Sequence, residues 1–205
     1  MDAKLPDIAI AEQLAERIMA VDAGKLPVAA REKCEQTLVD VIGLCIAARN
    51  EDYVQAALNG WDDDGICTAI GHRRSLSAAG AAFVNGTAAH GEDFDDTFEG
   101  GPVHAGAVIV PAVLAASERF GLDRKAALEG IAVGIELMCR LGLVAPKLVH
   151  KAGFHPTAVF GAMGAAAAVG KALRLEKKQI VDALGIVALA NRLRLGGGSV
   201  RLRDN

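Results

Sequence analysis

The densest group of chemically capable side chains in this sequence is His90-Gly-Glu-Asp-Phe-Asp-Asp-Thr97, followed by His104. Asp93, Asp95 and Asp96 lie almost side by side. Like charges so close repel when ionised, so at least one is expected to titrate high unless a cation or backbone donors relieve it. His90 and Asp93 stand at the spacing that puts two side chains on one side of a helical turn. A histidine beside carboxylates can be held in one tautomer and serve as a general acid or base near neutral pH. Thr97 can donate a hydrogen bond to a substrate carboxylate or hydroxyl. A second group, Gly153-Phe-His155-Pro156-Thr157, opens a run rich in Ala and Gly. Pro156 suits a first helical turn, which puts His155 at a helix N-terminus. Free backbone N–H groups and the positive end of the helix dipole favour an anion there, and a neutral imidazole.

Each group also has a plainer reading. The acidic run reads equally as a hydrated loop with Asp95 or Asp96 as a turn or cap residue. His155 reads as an N-cap-like residue. Clustered Asp with His suits Zn, Mn or Mg, but the spacing is neither that of a zinc-protease helix nor that of an EF-hand, so no metal is assigned. His72, next to Arg73 and Arg74, reads as part of a basic surface turn, and His150, beside Lys151, as a surface residue.

The elements that must position these residues are predicted to be helices. Apolar residues recur at helical spacing over 7–21 and 27–49, and more briefly over 52–61. Residues 68–74 are ambiguous between extended chain and loop. Ser77 is a candidate N-cap for a helix over 77–90. Residues 91–103, rich in Gly and acids, read as a loop. Helices are then expected over 104–120, with a kink at Pro111, over 124–143 with Asp123 as cap, over 156–173, and over 176–190. The segment 191–205 carries four Arg and a Gly-Gly-Gly run, and reads as a divergent, solvated tail.

Composition agrees with a helical fold. Ala takes 39 of 205 positions and aromatics only 4%, which favours closely packed helices over sheet. An apolar fraction of 52% supplies a core. A net charge of −3 argues against a generic nucleic-acid binder. Cys34, Cys45, Cys67 and Cys139 are too scattered for a zinc ribbon or a dense disulfide framework. No apolar stretch reaches the length of a membrane span, so a soluble, cytoplasmic protein is expected.

The run Asn85-Gly-Thr-Ala-Ala-His90-Gly-Glu-Asp-Phe-Asp-Asp-Thr97, the following Val103-His104-Ala-Gly, and Gly153-Phe-His155-Pro-Thr resemble the MmgE/PrpD family. That family includes 2-methylcitrate dehydratase, cis-aconitate decarboxylase and iminodisuccinate epimerase. The resemblance covers about residues 5–190. It implies an all-α domain of many helices, often the dimerising part, joined in longer members to a smaller α/β lid. It also implies a small di- or tricarboxylate substrate and chemistry without a metal or organic cofactor. Carried onto this sequence, the matching catalytic positions are Asp93, His104 and His155, with Thr97 binding substrate. Asp96 and His90 lie beside them as further substrate-binding candidates.

The expected function is a lyase, or its larger domain, of the 2-methylcitrate dehydratase type, with a homodimer as the expected assembly. Decarboxylase and epimerase chemistry share the first step and stay open. The family's active-site Lys and its lid Tyr have no counterpart in this sequence, where no Lys follows Lys178. The chain therefore reads as a truncated or frameshifted copy, expected to bind polycarboxylates weakly and to turn them over poorly. Two rivals remain: a non-catalytic helical oligomerisation unit, and a metal-binding hydrolase on His90, Asp93 and His104.

Overall fold

A computed structural model describes residues 8–144 and 147–195. Nine α-helices run through the described residues: α1 (Ile10–Ala20), α2 (Val28–Ala48), α3 (Asp52–Asn59), α4 (Ala78–His90), α5 (Gly106–Phe120), α6 (Arg124–Val144), α7 (Leu148–Lys151), α8 (Pro156–Ala172) and α9 (Lys177–Leu195). The sole sheet among them pairs β1 (Asp64–Thr68) with β2 (Ser75–Leu76), antiparallel. The fold is all-α, as expected. No helix among the described residues is long and apolar enough to cross a membrane.

Local signals set most boundaries. The Ser77 side chain accepts from the Gly80 N–H and opens α4, and Asp123 Oδ1 accepts from the Ala126 N–H at 2.7 Å to open α6. Gly121, at φ 64°, closes α5 in the left-handed conformation that glycine adopts without a Cβ clash. The ambiguous segment after Thr68 is the turn between the two strands. It is stapled to α4 by the buried Asn85, whose Oδ1 accepts from the Ile70 N–H at 2.8 Å and whose Nδ2 donates to the Thr68 carbonyl at 2.9 Å.

Two expectations are corrected. The helix predicted from His104 begins at Gly106, because the Val103 carbonyl, which would accept the first bond of a helix starting at His104, accepts from the Phe98 N–H at 3.1 Å instead. The last helix runs on to Leu195, five residues past its predicted end. The tail thus begins as helix, and residues 196–205 lie outside the described part. His72 lies in the turn between the strands, as read, with its side chain half-buried and an Nε2 that finds no partner.

The core forms where small residues let helices approach. α6, α8 and α5 pack together in the middle of the molecule. A Cβ on Gly130 would stand 2.8 Å from the Ala168 carbonyl oxygen, and one on Gly134 would stand 2.6 Å from Ile109 Cγ2. Only glycine permits that spacing between α6 and its neighbours. Around this centre α2, α3, α4 and the sheet bury Val41, Cys45, Val54, Cys67 and Val84. A second cluster, with Ala15, Ile18, Ile180 and Leu184, seats α1 and α9 against α6 and α8.

Cys45 is fully buried, and its Sγ donates to the Asn85 carbonyl at 3.2 Å. Burial raises its thiol pKa to about 12, and that of Cys139 to about 11. At pH 8 the Cys45 thiolate fraction is about one part in 10⁴, and the thiolate is the reactive form. Iodoacetamide is therefore expected to leave Cys45 unmodified in the folded protein and to label it fully in urea, as read by peptide mass spectrometry. Labelling of Cys45 under native conditions at the rate of a free thiol would contradict the burial described.

Candidate functional site

Residues 91–105 fold back on themselves between α4 and α5. The Asp93 N–H donates to the His90 carbonyl at 3.0 Å, and Asp93 takes φ 57°, a left-handed conformation that Asp tolerates better than most residues. An antiparallel bridge between Phe98 and Val103 closes the end of the loop, and the fully buried Val103 anchors it. Asp96 Oδ1 accepts from the Gly106 N–H at 2.8 Å, capping α5 from a distance. Burial, followed by the neighbouring Asp95 charge, raises the Asp96 pKa against the pull of that N–H. The cap role weighed for this loop thus falls to Asp96, and at least one of its oxygens is committed to it.

Asp95 is the residue that composition and spacing left unassigned. Its side chain is wholly buried. His90 Nδ1 lies 3.0 Å from its Oδ2 and 3.1 Å from its Oδ1. His104 Nδ1 lies 3.4 Å from Asp95 Oδ1 and 3.4 Å from Thr97 Oγ1. The helical pairing of His90 with Asp93 is corrected: α4 stops at His90, the chain turns, and the carboxylate that returns to His90 belongs to Asp95. Asp93 instead sits on the other side of His104, its Oδ1 3.7 Å from Nε2, with its side chain largely in solvent.

His155 arrives from the start of α8, 51 residues beyond His104 in the chain. The hydrogen bond from the His104 N–H to the buried Thr157 Oγ1 ties the two segments together. The His104 and His155 rings stack with centroids 5.9 Å apart, and His90 lies 4.9 Å from His104 and 5.7 Å from His155. His155 stands at the N-cap position of α8, as read, but its side chain makes no capping hydrogen bond. Desolvation lowers the His155 pKa first, and the nearby His90, His104 and His150 lower it further. A neutral imidazole, able to accept a proton, is favoured there. His150 is exposed, as expected, but its ring stands edge-on to His155 at 6.1 Å. Four of the five histidines in the sequence thus gather at one place.

All six predicted site residues therefore lie in or against one cluster, with Asp96 turned to the helix cap and Thr97 exposed beside His104. This arrangement can exchange protons with a bound molecule at two or three imidazoles, with a buried carboxylate behind them and an exposed one in front. The matching family is the MmgE/PrpD N-terminal domain, over residues 12–193. The chain belongs to the MmgE/PrpD family. Among curated members, a cis-aconitate decarboxylase of Aspergillus terreus is 33% identical over 167 residues, covering 76% of this chain and 34% of that protein. Cis-aconitate decarboxylases of Mus musculus and Homo sapiens are 41% and 40% identical over 115 and 114 residues, about half of this chain. The MmgE/PrpD chain described here spans well under half the length of these relatives.

Proposed function

We propose that this MmgE/PrpD chain carries the acid–base centre of a lyase that acts on a small di- or tricarboxylate without a cofactor, and that its reaction is decarboxylation of the cis-aconitate kind. The observation that carries the reading is the convergence of His90, His104 and His155 around the buried Asp95. The names of the relatives favour decarboxylation over the dehydration of 2-methylcitrate that the sequence alone suggested.

In this reading Thr97 offers a donor to a substrate carboxylate, and the positive end of the α8 dipole attracts it. Loss of CO₂ breaks a carbon–carbon bond, and its electron pair moves into the adjacent unsaturated system. His104 then gives a proton to carbon and water restores it, while His155, favoured neutral, is placed to accept a proton. Asp93, at the mouth beside His104 Nε2, orients that ring or shares the proton. Acid–base groups of this kind contribute roughly 10²–10⁴-fold each, and donors aimed at the developing charge supply further stabilisation.

The test is an assay of the protein with cis-aconitate, citrate and 2-methylcitrate, following CO₂ release and the loss of water separately. CO₂ release from cis-aconitate supports the proposal. Water loss from 2-methylcitrate without CO₂ release would return the reaction to dehydration. Failure of all three acids to bind would overturn the polycarboxylate reading.

A further inference from the structure

We propose that His90, Asp93, Asp95 and His104 form a binding site for a divalent transition-metal ion of the zinc class, which occupies the cluster in place of substrate. Each residue offers a ligand atom, and the four atoms all lie within 4.8 Å of one another. Zinc bonds to nitrogen and oxygen of about 2.1 Å require about 3.4 Å between ligand atoms at the corners of a tetrahedron. The neighbouring pairs in the cluster stand at 3.0 Å (His90 Nδ1 to Asp95 Oδ2), 3.4 Å (His104 Nδ1 to Asp95 Oδ1) and 3.7 Å (His104 Nε2 to Asp93 Oδ1). His104 would contribute one of its two nitrogens, so closing the site needs a small shift of one ring or of the exposed Asp93 carboxylate.

The ligand chemistry fits the ion. Two imidazoles and two carboxylates suit borderline metals, and the two carboxylate charges balance a divalent cation. The parts differ in freedom. Asp95 is fully buried and His104 nearly so. The Asp96 cap and the Phe98–Val103 bridge hold the loop that carries them. Asp93 is exposed at the mouth, where a side chain can swing to admit an ion and close behind it. On binding, the histidine protons that face Asp95 are displaced to solvent and the metal takes their place.

The metal site stands on geometry alone; its consequence, exclusion of substrate, rests on the proposed function. An ion held by His104 removes the nitrogen that would handle the substrate proton. The ion thus acts as an inhibitor, not as a cofactor.

Cobalt is the probe, because Co²⁺ in a tetrahedral nitrogen–oxygen site shows visible d–d absorption, and Zn²⁺ then displaces it. The expected result is a saturating visible band with equimolar Co²⁺, bleached by Zn²⁺. Binding should weaken at least about tenfold in Asp93→Asn, by the standard that even outer partners of metal ligands are worth roughly 10–100-fold. Asp93 is exposed, so this variant is expected to fold, and circular dichroism checks it. Cys139→Ser, which removes the least buried thiol, should leave the band unchanged. No band and no binding heat at millimolar metal would overturn the site, and so would a band that survives Asp93→Asn or is lost in Cys139→Ser. Adding cis-aconitate should raise the apparent Kd for Co²⁺. Metal binding that ignores cis-aconitate upholds the ion site and overturns the shared location of substrate.

Discussion

Asp95→Asn is expected to lower turnover of a tricarboxylate substrate by roughly 10²–10⁴-fold while the protein keeps its helical fold. The substitution preserves shape and replaces an acceptor-only carboxylate with an amide that must present both a donor and an acceptor. In the native cluster His90 Nδ1 faces both Asp95 oxygens, and a carboxylate only accepts, so the pairing calls for a proton on Nδ1. An amide NH₂ turned toward a histidine demands the opposite tautomer, with the proton on Nε2. His104 loses the same carboxylate from 3.4 Å. Asp95 is a positioning residue here, acting through the rings. The readout that separates this from mere loss of stability is the ¹⁵N tautomer pattern of the histidine side chains. It should change in D95N while circular dichroism does not. His104→Gln should lose activity by a similar factor, and the double variant should lose little more than the worse single one, since residues acting as one unit are not additive. Full activity in D95N, or an unchanged tautomer pattern, would remove Asp95 from the mechanism.

Glu129→Ala is expected to destabilise the fold by about 3–5 kcal/mol. Glu129 lies on α6 with its side chain only 8% exposed. Its Oε1 accepts from the Ala23 N–H at 2.9 Å, which ties the turn after α1 to the centre of the molecule. Its Oε2 faces Lys171 Nζ of α8 at 3.5 Å, and that ammonium is itself only 12% exposed. Removing the carboxylate leaves a buried cation whose one remaining described contact is the Met19 carbonyl at 3.0 Å, and an orphaned backbone N–H. At a few degrees per kcal/mol for a chain of this size, Tm should fall by roughly 6–20 °C. A Glu129→Leu, Lys171→Met pair should recover much of the loss, because apolar replacement of both partners removes the uncompensated charge. The site lies in another part of the fold, so residual activity per folded molecule should stay near native. A loss under about 1 kcal/mol by urea denaturation would show that Glu129 is solvated in a way the structure does not give.

The sequence by itself determined the helices, because helix signals are local. Ser77 and Asp123 are caps wherever the chain goes, and a Gly- and acid-rich stretch breaks the helix between residues 91 and 103 by its own propensities. Composition favoured helices over sheet, and the one β1–β2 pair among the described residues is short. Types and motif together also marked the loop and the start of α8 as chemically capable. What no local rule carries is which partner each polar group finds. Three aspartates in a row of four are alike in the sequence. The tertiary structure spends Asp96 on the N-terminus of α5, buries Asp95 between two imidazoles and leaves Asp93 at the mouth. His150 looked like a surface residue because Lys151 stands beside it, and it meets His155 because α7 leads back to the start of α8. The helical pairing of His90 with Asp93 failed for the same reason: the spacing of a helical turn means nothing once the helix has ended. The choice among the carboxylates, and the gathering of the histidines, depended on close packing of α5, α6 and α8. That packing rests on glycines such as Gly130 and Gly134, whose role is visible only when the neighbouring helix is in place.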